Sequence, residues 1–415
     1  MIYLEMFNEI VDIMERDYSG CDIKRGWGNP EYYRQLISEA LESDKLNRDK
    51  FKEIVDEYIL DFKDSHVKFV DHKLKSNPMS IGFKVRRYED ALYVVSADQE
   101  KNLKAGMAIV ELDNMSIREA AQKYEKQLMG QPNERQLWEK IIAKCKTVTI
   151  LDGGKMRKVD INTYPDKNAE SKYEFNHVDE NTIMLSYNDF MNYDLSQKLL
   201  TEHKEAIAAA KNIIIDVRVN SGGFDTVFLE LLDYIFPENF EIVDEYRGLT
   251  NVTERNYKNR IELLNGYLEQ YPKDEMIKKY IEELTINRNK GFVVLDIGDS
   301  NYVVKGTKEA KNIIVLTDRY CGSSGDSFVI MSSYSPWVTI VGRPTYGVID
   351  YSNVAEQKFS DDFSLLYATS VYEGAKYGKG YDNVGVKPDI YIPWTPEHID
   401  RDVDLEYAIE VLKKK

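Results

Sequence analysis

Two stretches of the sequence repeat a pattern that few folds can accommodate: an apolar run of strand length, a turn of small residues, and a segment with helical spacing. Residues 213–218 (IIIDVR) lead through VNSGG into FDTVFLELL, and residues 313–317 (IIVLT) lead through DRYCGSSG into DSFVIM. Runs this apolar are typical of parallel strands that are buried on both faces. In an open α/β sheet, the turns after such strands gather at one edge, where ligands bind. The repeat therefore predicts an α/β domain with a site at that edge.

Further strand candidates surround this pair. They are TIMLSY, FVVLDI, VTIVG and FSLLYATSVY, and TEHKEAIAAA is an intervening helix. Residues 252–288 are charged, tyrosine-rich and helical in spacing, which predicts a helical insertion. We assign residues 166–415 to the α/β domain.

The first 165 residues have a different pattern of apolar and polar positions. Residues 1–76 contain apolar positions at helical spacing, as in MFNEIVDIM and YYRQLISEAL, and predict an N-terminal helical domain. Residues 77–165 contain short strands such as ALYVVSAD and AIVELD, and a hairpin whose turn is Asp-Gly-Gly. They predict a compact β-rich domain with flanking helices, so a chain of 415 residues would hold three domains.

Composition excludes several classes of function. With 55 basic and 71 acidic residues, the net charge is −16, which disfavours binding to nucleic acid. The three cysteines are far apart and the histidines are scattered, so the sequence predicts no metal and no cofactor. No apolar run approaches the ~18 residues that span a bilayer. The N-terminus lacks the basic and apolar regions of a signal peptide, which predicts a cytoplasmic location, or a secreted one if the N-terminus was trimmed. No pattern indicates an oligomeric state.

The turn at Ser323 admits two interpretations. Backbone amides at a helix start can hold a phosphate or a developing oxyanion, but no phosphate-binding glycine motif accompanies these turns. The oxyanion interpretation has a serine beside the donors, which would make Ser323 a nucleophile. The alternative is that Ser323 only caps the helix, because serine is a favoured N-cap residue. Local sequence leaves both open.

A serine nucleophile needs a base, and the candidates are few. His66, in DSHVKF, follows a serine and an aspartate where helical spacing gives way to a strand, and His72 is its closest rival. Cys321 is an alternative nucleophile, and Lys376 or Lys379 are alternative bases in a loop that is otherwise expected to be solvated. Spacing alone does not decide among them.

Four blocks, in order along the chain, resemble the signature segments of the C-terminal processing (tail-specific) serine peptidases: NIIIDVRVNSGG, IIVLTDRYCGSSGDSFV, IVGRPTYG and YDNVGVKPDIYIP. One branch of that family uses a lysine directly after the PTYG-type segment, where this chain has Val348. The tricorn-core branch uses a histidine instead, and the chain is more similar to it. The resemblance implies a crotonase/ClpP-like fold for the α/β domain.

The resemblance also implies roles for individual residues. Ser323 would be the nucleophile and His66 the general base, with Ser65 and Asp382 orienting the histidine. Asp382 stands where the branch more often has glutamate, so its shorter side chain is a departure.

Oxyanion donors would be backbone amides in the two turns. They are those of Ser324 and of Gly222 or Gly223, each turn being expected to open a helix.

Residues 77–165 resemble a PDZ domain. Ser80, Ile81, Gly82 and Phe83 match the loop whose amides bind the C-terminal carboxylate of a peptide, which then adds as a strand. A β-module that only supports the active site remains the alternative.

Together these features predict a serine endopeptidase that hydrolyses unstructured proteins or peptides through a Ser-His-Asp acyl-enzyme, with recognition of substrate C-termini by the PDZ-like domain. A catalytically inactive peptide-binding relative is one alternative, and a crotonase-type acyl-CoA enzyme is another. Neither alternative requires the Ser65-His66 pair.

Overall fold

The computed structural model divides into two compact units that are interleaved along the chain. It describes residues 3–73, 79–165, 170–243, 245–297 and 302–414. Unit 1 comprises Met1–Leu74, Glu238–Lys305 and Gly347–Gly385, and unit 2 comprises Lys75–Pro237, Gly306–Tyr346 and Val386–Lys415. The predicted domain boundaries at 76/77 and 165/166 involve positions outside the described residues, and the three-domain division stays a prediction.

The α-helices of the described residues are α1 (Tyr3–Asp12), α2 (Pro30–Glu42), α3 (Arg48–Ile59), α4 (Ile117–Lys123), α5 (Glu139–Ile142), α6 (Tyr193–Glu202), α7 (Lys204–Ala209), α8 (Leu229–Leu232), α9 (Glu254–Gln270), α10 (Glu275–Ile286), α11 (Ser324–Ser333) and α12 (Val403–Lys413). None of these helices is long and apolar enough to cross a membrane.

The strands, in chain order, are β1 (Lys68–Asp71), β2 (Met79–Ser80), β3 (Lys84–Tyr88), β4 (Ala91–Ser96), β5 (Ala108–Leu112), β6 (Met115–Ser116), β7 (Thr147–Asp152), β8 (Lys155–Asp160), β9 (Tyr164–Pro165), β10 (Tyr173–His177), β11 (Thr182–Tyr187), β12 (Asn212–Asp216), β13 (Phe240–Ile242), β14 (Gly248–Val252), β15 (Gly291–Val293), β16 (Tyr302–Val304), β17 (Asn312–Thr317), β18 (Val338–Gly342), β19 (Tyr351–Lys358), β20 (Phe363–Tyr372) and β21 (Ile390–Tyr391).

Unit 2 is built on a mostly parallel sheet. Its strand order is β10-β11-β12-β17-β18-β21, and only the edge pair β10–β11 is antiparallel. The two apolar runs are adjacent strands in register, with Ile215 opposite Val315. Because both strands point the same way, the turns that follow them emerge at the same edge of the sheet.

The segment after the first turn differs from the prediction. The sequence FDTVFLELL was expected to form a helix, but it forms a 3₁₀ turn, Asp225–Val227, and the single-turn helix α8. Phe228, Leu231 and Leu232 are fully buried, so packing on several sides dominates this segment rather than one amphipathic face. The helix-dipole argument therefore applies to the turn before α11 and not to the turn before α8.

Unit 2 also contains the β-rich module. Strands β3-β4-β5-β7-β8 form one antiparallel sheet, to which β6 adds beside β5. Trp138, which is fully buried, lies in its core. The two helices predicted in this region are short in the structure, where α4 and α5 span 7 and 4 residues.

Unit 1 packs helices on an antiparallel sheet. The sheet has the order β1-β20-β14-β15, and β19 also pairs with β20. Helix α2 begins at Pro30, and the side chain of Asn29 accepts a hydrogen bond from the Tyr32 amide, as an N-cap residue does. The segment FSLLYATSVY, which was expected in the α/β domain, is β20 of this antiparallel sheet. Helices α9 and α10 lie within the predicted insertion.

Candidate active site

Ser323 has a backbone conformation that a capping role does not require. Its φ is 57° and its ψ is −119°, and α11 begins at the next residue. N-cap residues usually adopt ordinary extended conformations. A non-glycine residue in this region costs about 1–3 kcal/mol, and such strain clusters at functional sites. The half-buried Ser323 is thus held in a strained turn at a helix N-terminus, which is how a strand-to-helix nucleophile is presented.

Buried polar contacts hold this turn in place. The Ser323 amide donates to Oδ2 of Asp326 at 2.8 Å, and Asp326 is fully buried. The Gly322 amide donates to the carbonyl of Asn220 at 3.0 Å, which joins the turn after β17 to the turn after β12. This backbone hydrogen bond therefore fixes the position of one turn relative to the other.

The glycine pair of the first turn lies directly against the serine. Gly222 has φ 89°, and a Cβ there would lie 2.7 Å from the Gly322 carbonyl oxygen and 2.8 Å from Cβ of Ser323. Gly223 has φ 147°, and a Cβ there would lie 2.2 Å from the carbonyl oxygen of Phe190. Both positions need glycine for the close approach as well as for the backbone conformation.

The amides of this turn are not equivalent. The Gly222 amide donates to Oδ1 of Asn220 at 3.0 Å. Within the described ranges, the amides of Gly223 and Ser324 donate to no backbone or side-chain acceptor. Of the two glycines proposed from the sequence, Gly223 is therefore the one whose amide remains available to an oxyanion.

The alternative nucleophile and bases have unsuitable environments. Cys321 is fully buried, and burial raises the pKa of its thiol well above the ordinary value, which keeps it protonated. Lys376 and Lys379 are exposed, in the solvated loop that the sequence predicted.

His66 lies in unit 1, in the turn before β1. Its backbone amide donates to Oδ1 of Asp64 at 2.8 Å, and the same oxygen is 3.7 Å from Nδ1 of the ring. This Nδ1 is buried and makes no hydrogen bond within the described residues. The Tyr18 hydroxyl donates to the other oxygen of Asp64 at 2.7 Å. Ser65, which is half-buried, lies between Asp64 and His66 in the sequence. The carboxylate of Asp64 therefore lies next to the ring of His66.

Asp382, which was expected to orient the histidine, has other partners. Its Oδ2 accepts from Nζ of Lys24 at 2.9 Å and from Nδ2 of Asn383 at 3.0 Å. Burial raises the pKa of Asp382 to about 7; Lys24 opposes the rise, and the negative charges of Asp64 and Asp350 add to it. The orienting role of Asp382 stays a prediction.

The rival histidine, His72, is an exposed residue that directly follows β1. Its Nε2 lies 3.0 Å from Oγ of Ser364, and 41% of its side chain is exposed. No nucleophilic serine of a helix start is among these contacts.

Most groups of the candidate peptide-binding loop make contacts within the β-rich module. Ile81 and Phe83 are buried in the core, and the Gly82 amide donates to Oγ of Ser80 at 3.2 Å. On the adjacent edge strand β3, the Val85 carbonyl accepts from Arg319 at 3.1 Å. Peptide capture by this loop stays a prediction.

Sequence reasoning missed Asp64, Asp326, Asn220 and Lys24. Asp64 had a local signal, because an aspartate that accepts from the amide two residues later is a common turn. Asp326 had one as well, at the third helical position, where an acidic side chain bonds the N-cap amide. Lys24 had none, since its partner is 358 residues away.

Comparisons with known proteins bear on the family and the fold of this chain. The model of Peptidase family S41 matches residues 181–392, which include Ser323 and Asp382 but not His66. The crystal structure of mature CPAF superposes with a TM-score of 0.67 at 12% identity, over 99% of this chain and 96% of that chain.

Two curated relatives match more locally. A tricorn-like protease C-terminal subunit of Sulfurisphaera tokodaii is 30% identical over 105 residues, and a tricorn protease homolog of Saccharolobus solfataricus is 27% identical over 117. Each alignment covers 25% of this chain but only 12% and 10% of the respective relatives, so this chain matches a small part of those longer proteins. The resemblance found in the four sequence blocks is confirmed, and because the family model covers half of its length, the chain belongs to peptidase family S41.

Proposed function

We propose that the protein is a serine endopeptidase in which Ser323 is the nucleophile and His66 the general base. The observation that carries the proposal is the strained conformation of Ser323, with φ 57°, at the start of α11 beside the glycine pair. A capping serine or a binding surface gives no reason to maintain this strain, whereas a nucleophile must project from its turn towards the substrate.

The chemistry follows from the groups in each unit. Oγ of Ser323 attacks the scissile carbonyl, and His66 takes the hydroxyl proton and later returns it to the leaving amine. The amides of Gly223 and Ser324 donate to the oxyanion, and the N-terminus of α11 adds a favourable dipole. Water then releases the acyl group from Ser323, which regenerates the enzyme.

Orientation of the base involves three polar side chains of unit 1. Asp382 and Ser65 are proposed to fix the imidazole and stabilise its cation, as the resemblance implied. Asp64 contributes by holding the backbone amide of His66 and by placing a negative charge 3.7 Å from Nδ1.

Substrates are proposed to be unstructured proteins or peptides, whose extended chains can enter a peptidase site. Recognition of their C-termini by Ser80, Ile81, Gly82 and Phe83 is the remaining part of the proposal. It requires the Gly82 amide to exchange its bond with Ser80 for one with the substrate carboxylate.

The decisive experiment is to label the protein with a fluorophosphonate probe and locate the adduct by peptide mass spectrometry. We expect one adduct on Ser323, together with cleavage of an unfolded protein such as reduced casein. An adduct on another serine would contradict the assignment of the nucleophile. Peptide binding with neither adduct nor cleavage would favour the inactive relative, and binding to immobilised coenzyme A would favour the acyl-CoA enzyme.

Gly223→Ala is expected to lower kcat/KM by about 10²- to 10³-fold, the usual cost of a lost oxyanion donor. The new Cβ would lie 2.2 Å from the Phe190 carbonyl oxygen, so the turn must move and carry its amide away. Peptidase assays and urea unfolding would separate lost catalysis from lost folding.

The matched control is Gly154→Ala in the β7–β8 hairpin. Gly154 also has a positive φ, 81°, but its Cβ would meet no atom within 4 Å. We expect it to cost some stability and no activity; equal activity of the Gly223 and Gly154 variants would exclude the Gly223 amide from the oxyanion site.

A further inference from the structure

The proposed mechanism does not use Lys24, although its ammonium group is buried among the polar residues of unit 1. Only 2% of its side chain is exposed. Its Nζ donates to Oδ2 of Asp382 at 2.9 Å and lies 4.0 Å from the centre of the Tyr351 ring. Lysine is almost never buried unless it is paired. The carboxylate and the aromatic face therefore fix its position.

The carboxylate that Lys24 bonds lies among other negative charges. The buried carboxylates of Asp64 and Asp350 act on Asp382, and Asp350 accepts from the backbone amides of Tyr381 and Asp382. Two titratable phenols lie beside these groups: the Tyr18 hydroxyl donates to Asp64, and the Tyr351 ring contacts Nζ of Lys24. Burial raises the pKa of both phenols, so they remain neutral. Three carboxylates are thus close to one another, and the ammonium group of Lys24 bonds that of Asp382.

Among the described residues, the side-chain hydrogen bonds to Asp382 go to one of its oxygens, Oδ2. Lys24 and Asn383 both donate to Oδ2, and Asn383 also donates to the carbonyl of Lys63, next to Asp64 in the chain. This arrangement fixes the carboxylate through Oδ2.

We propose that Lys24 is a positioning residue of the catalytic site. It holds Asp382 by Oδ2 and favours its ionised form, so that Oδ1 can support the histidine cation. This inference rests on the proposed function, because it concerns the orientation of His66.

The proposal predicts a change in pH dependence. Burial raises the pKa of Asp382 to about 7 even though Lys24 opposes the rise. Without the ammonium group the pKa of Asp382 must rise further, so the carboxyl would be protonated at neutral pH and ionised only in alkali. The acid limb of activity should then move to higher pH.

The test compares kcat/KM between pH 5.5 and 9.5 for the wild type, Lys24→Met and Lys68→Met, with a fluorogenic peptide as substrate. Lys68 is an exposed lysine in β1, two residues from His66, and controls for the loss of a nearby positive charge. In K24M we expect the acid limb to shift up by about one pH unit or more, which is a loss of at least about fivefold at pH 7 and about tenfold at pH 5.5, with recovery by pH 9. The pH profile of kcat/KM for Lys68→Met should match that of the wild type.

A second measurement does not depend on hydrolysis. The carboxyl ¹³C resonance of Asp382, assigned by its absence in Asp382→Asn, is titrated in the wild type and in K24M. We expect its midpoint to move up together with the activity limb. If K24M does not fold, Lys24→Gln, which keeps a neutral donor, replaces it in both experiments.

Two results would overturn the proposal: a loss of activity that is the same at every pH, as a purely structural role gives, or an unchanged Asp382 midpoint. Failure of the proposed function would look different. If the wild type cleaves no substrate, the peptidase mechanism is refuted. If the titration midpoint of Asp382 nevertheless moves in K24M, the interaction of Lys24 with the Asp382 carboxylate is supported.

Discussion

Ser323→Ala is expected to lower kcat/KM by about 10⁴- to 10⁶-fold, the range seen when the nucleophile of a serine peptidase is removed. Alanine keeps the Cβ and the turn but has no hydroxyl to form the acyl-enzyme. The same variant should lose fluorophosphonate labelling completely. Both quantities are measured on purified protein whose fold is checked by circular dichroism.

Two further substitutions sharpen this test. Ser333→Ala removes an exposed serine at the other end of α11, so it should leave both activity and labelling intact. Ser323→Gly should be as inactive as Ser323→Ala but more stable than it by about 1 kcal/mol, because glycine relieves the strain at φ 57°. An alanine variant that is still labelled, or a glycine variant that is less stable than alanine, would contradict our account of this turn.

His66→Ala is expected to lower kcat/KM by about 10²- to 10⁴-fold, since that is the contribution of a positioned general base. The fold should persist, because the imidazole Nδ1 makes no hydrogen bond within the described residues and 24% of the side chain is exposed. The measurement is steady-state hydrolysis of an unfolded protein, together with the thermal midpoint of each variant.

His72→Ala is the control for this substitution. His72 belongs to the same short segment and was the rival base, but its Nε2 lies within hydrogen-bond distance of Oγ of the buried Ser364. We expect it to retain nearly full activity. If His72→Ala were the inactive variant and His66→Ala the active one, the base would have to be reassigned.

The strands of the parallel sheet could be predicted from the sequence because their residues are apolar without alternation. The run at 213–218 appears as β12 and the run at 313–317 as β17, each within two residues of the expected ends. Strand β20 is also apolar, yet it pairs antiparallel with β1, β14 and β19. A buried central strand has the same composition in either kind of sheet, so composition did not reveal its partners.

The site was predictable where its groups are local in the chain. Ser323 and the glycine pair follow the ends of neighbouring strands, and parallel topology alone brings such turns together. The partners of Asp382 were not predictable, because Lys24 lies in the turn segment before α2 and no spacing rule connects residues so far apart. The helix predicted after Gly223 was wrong for a different reason. The side chains of that segment are buried, and their packing outweighs the helical periodicity of the sequence.

The interleaving of the two units also bears on how the chain is synthesised. The strand that follows His66 pairs with β20, with Lys68 opposite Leu366, so its hydrogen-bonding partner leaves the ribosome some three hundred residues later. A nascent chain therefore cannot complete the β1–β20 ladder until residues 363–366 have been synthesised. The sheet of unit 1 consequently closes late, from strands that are distant in the sequence.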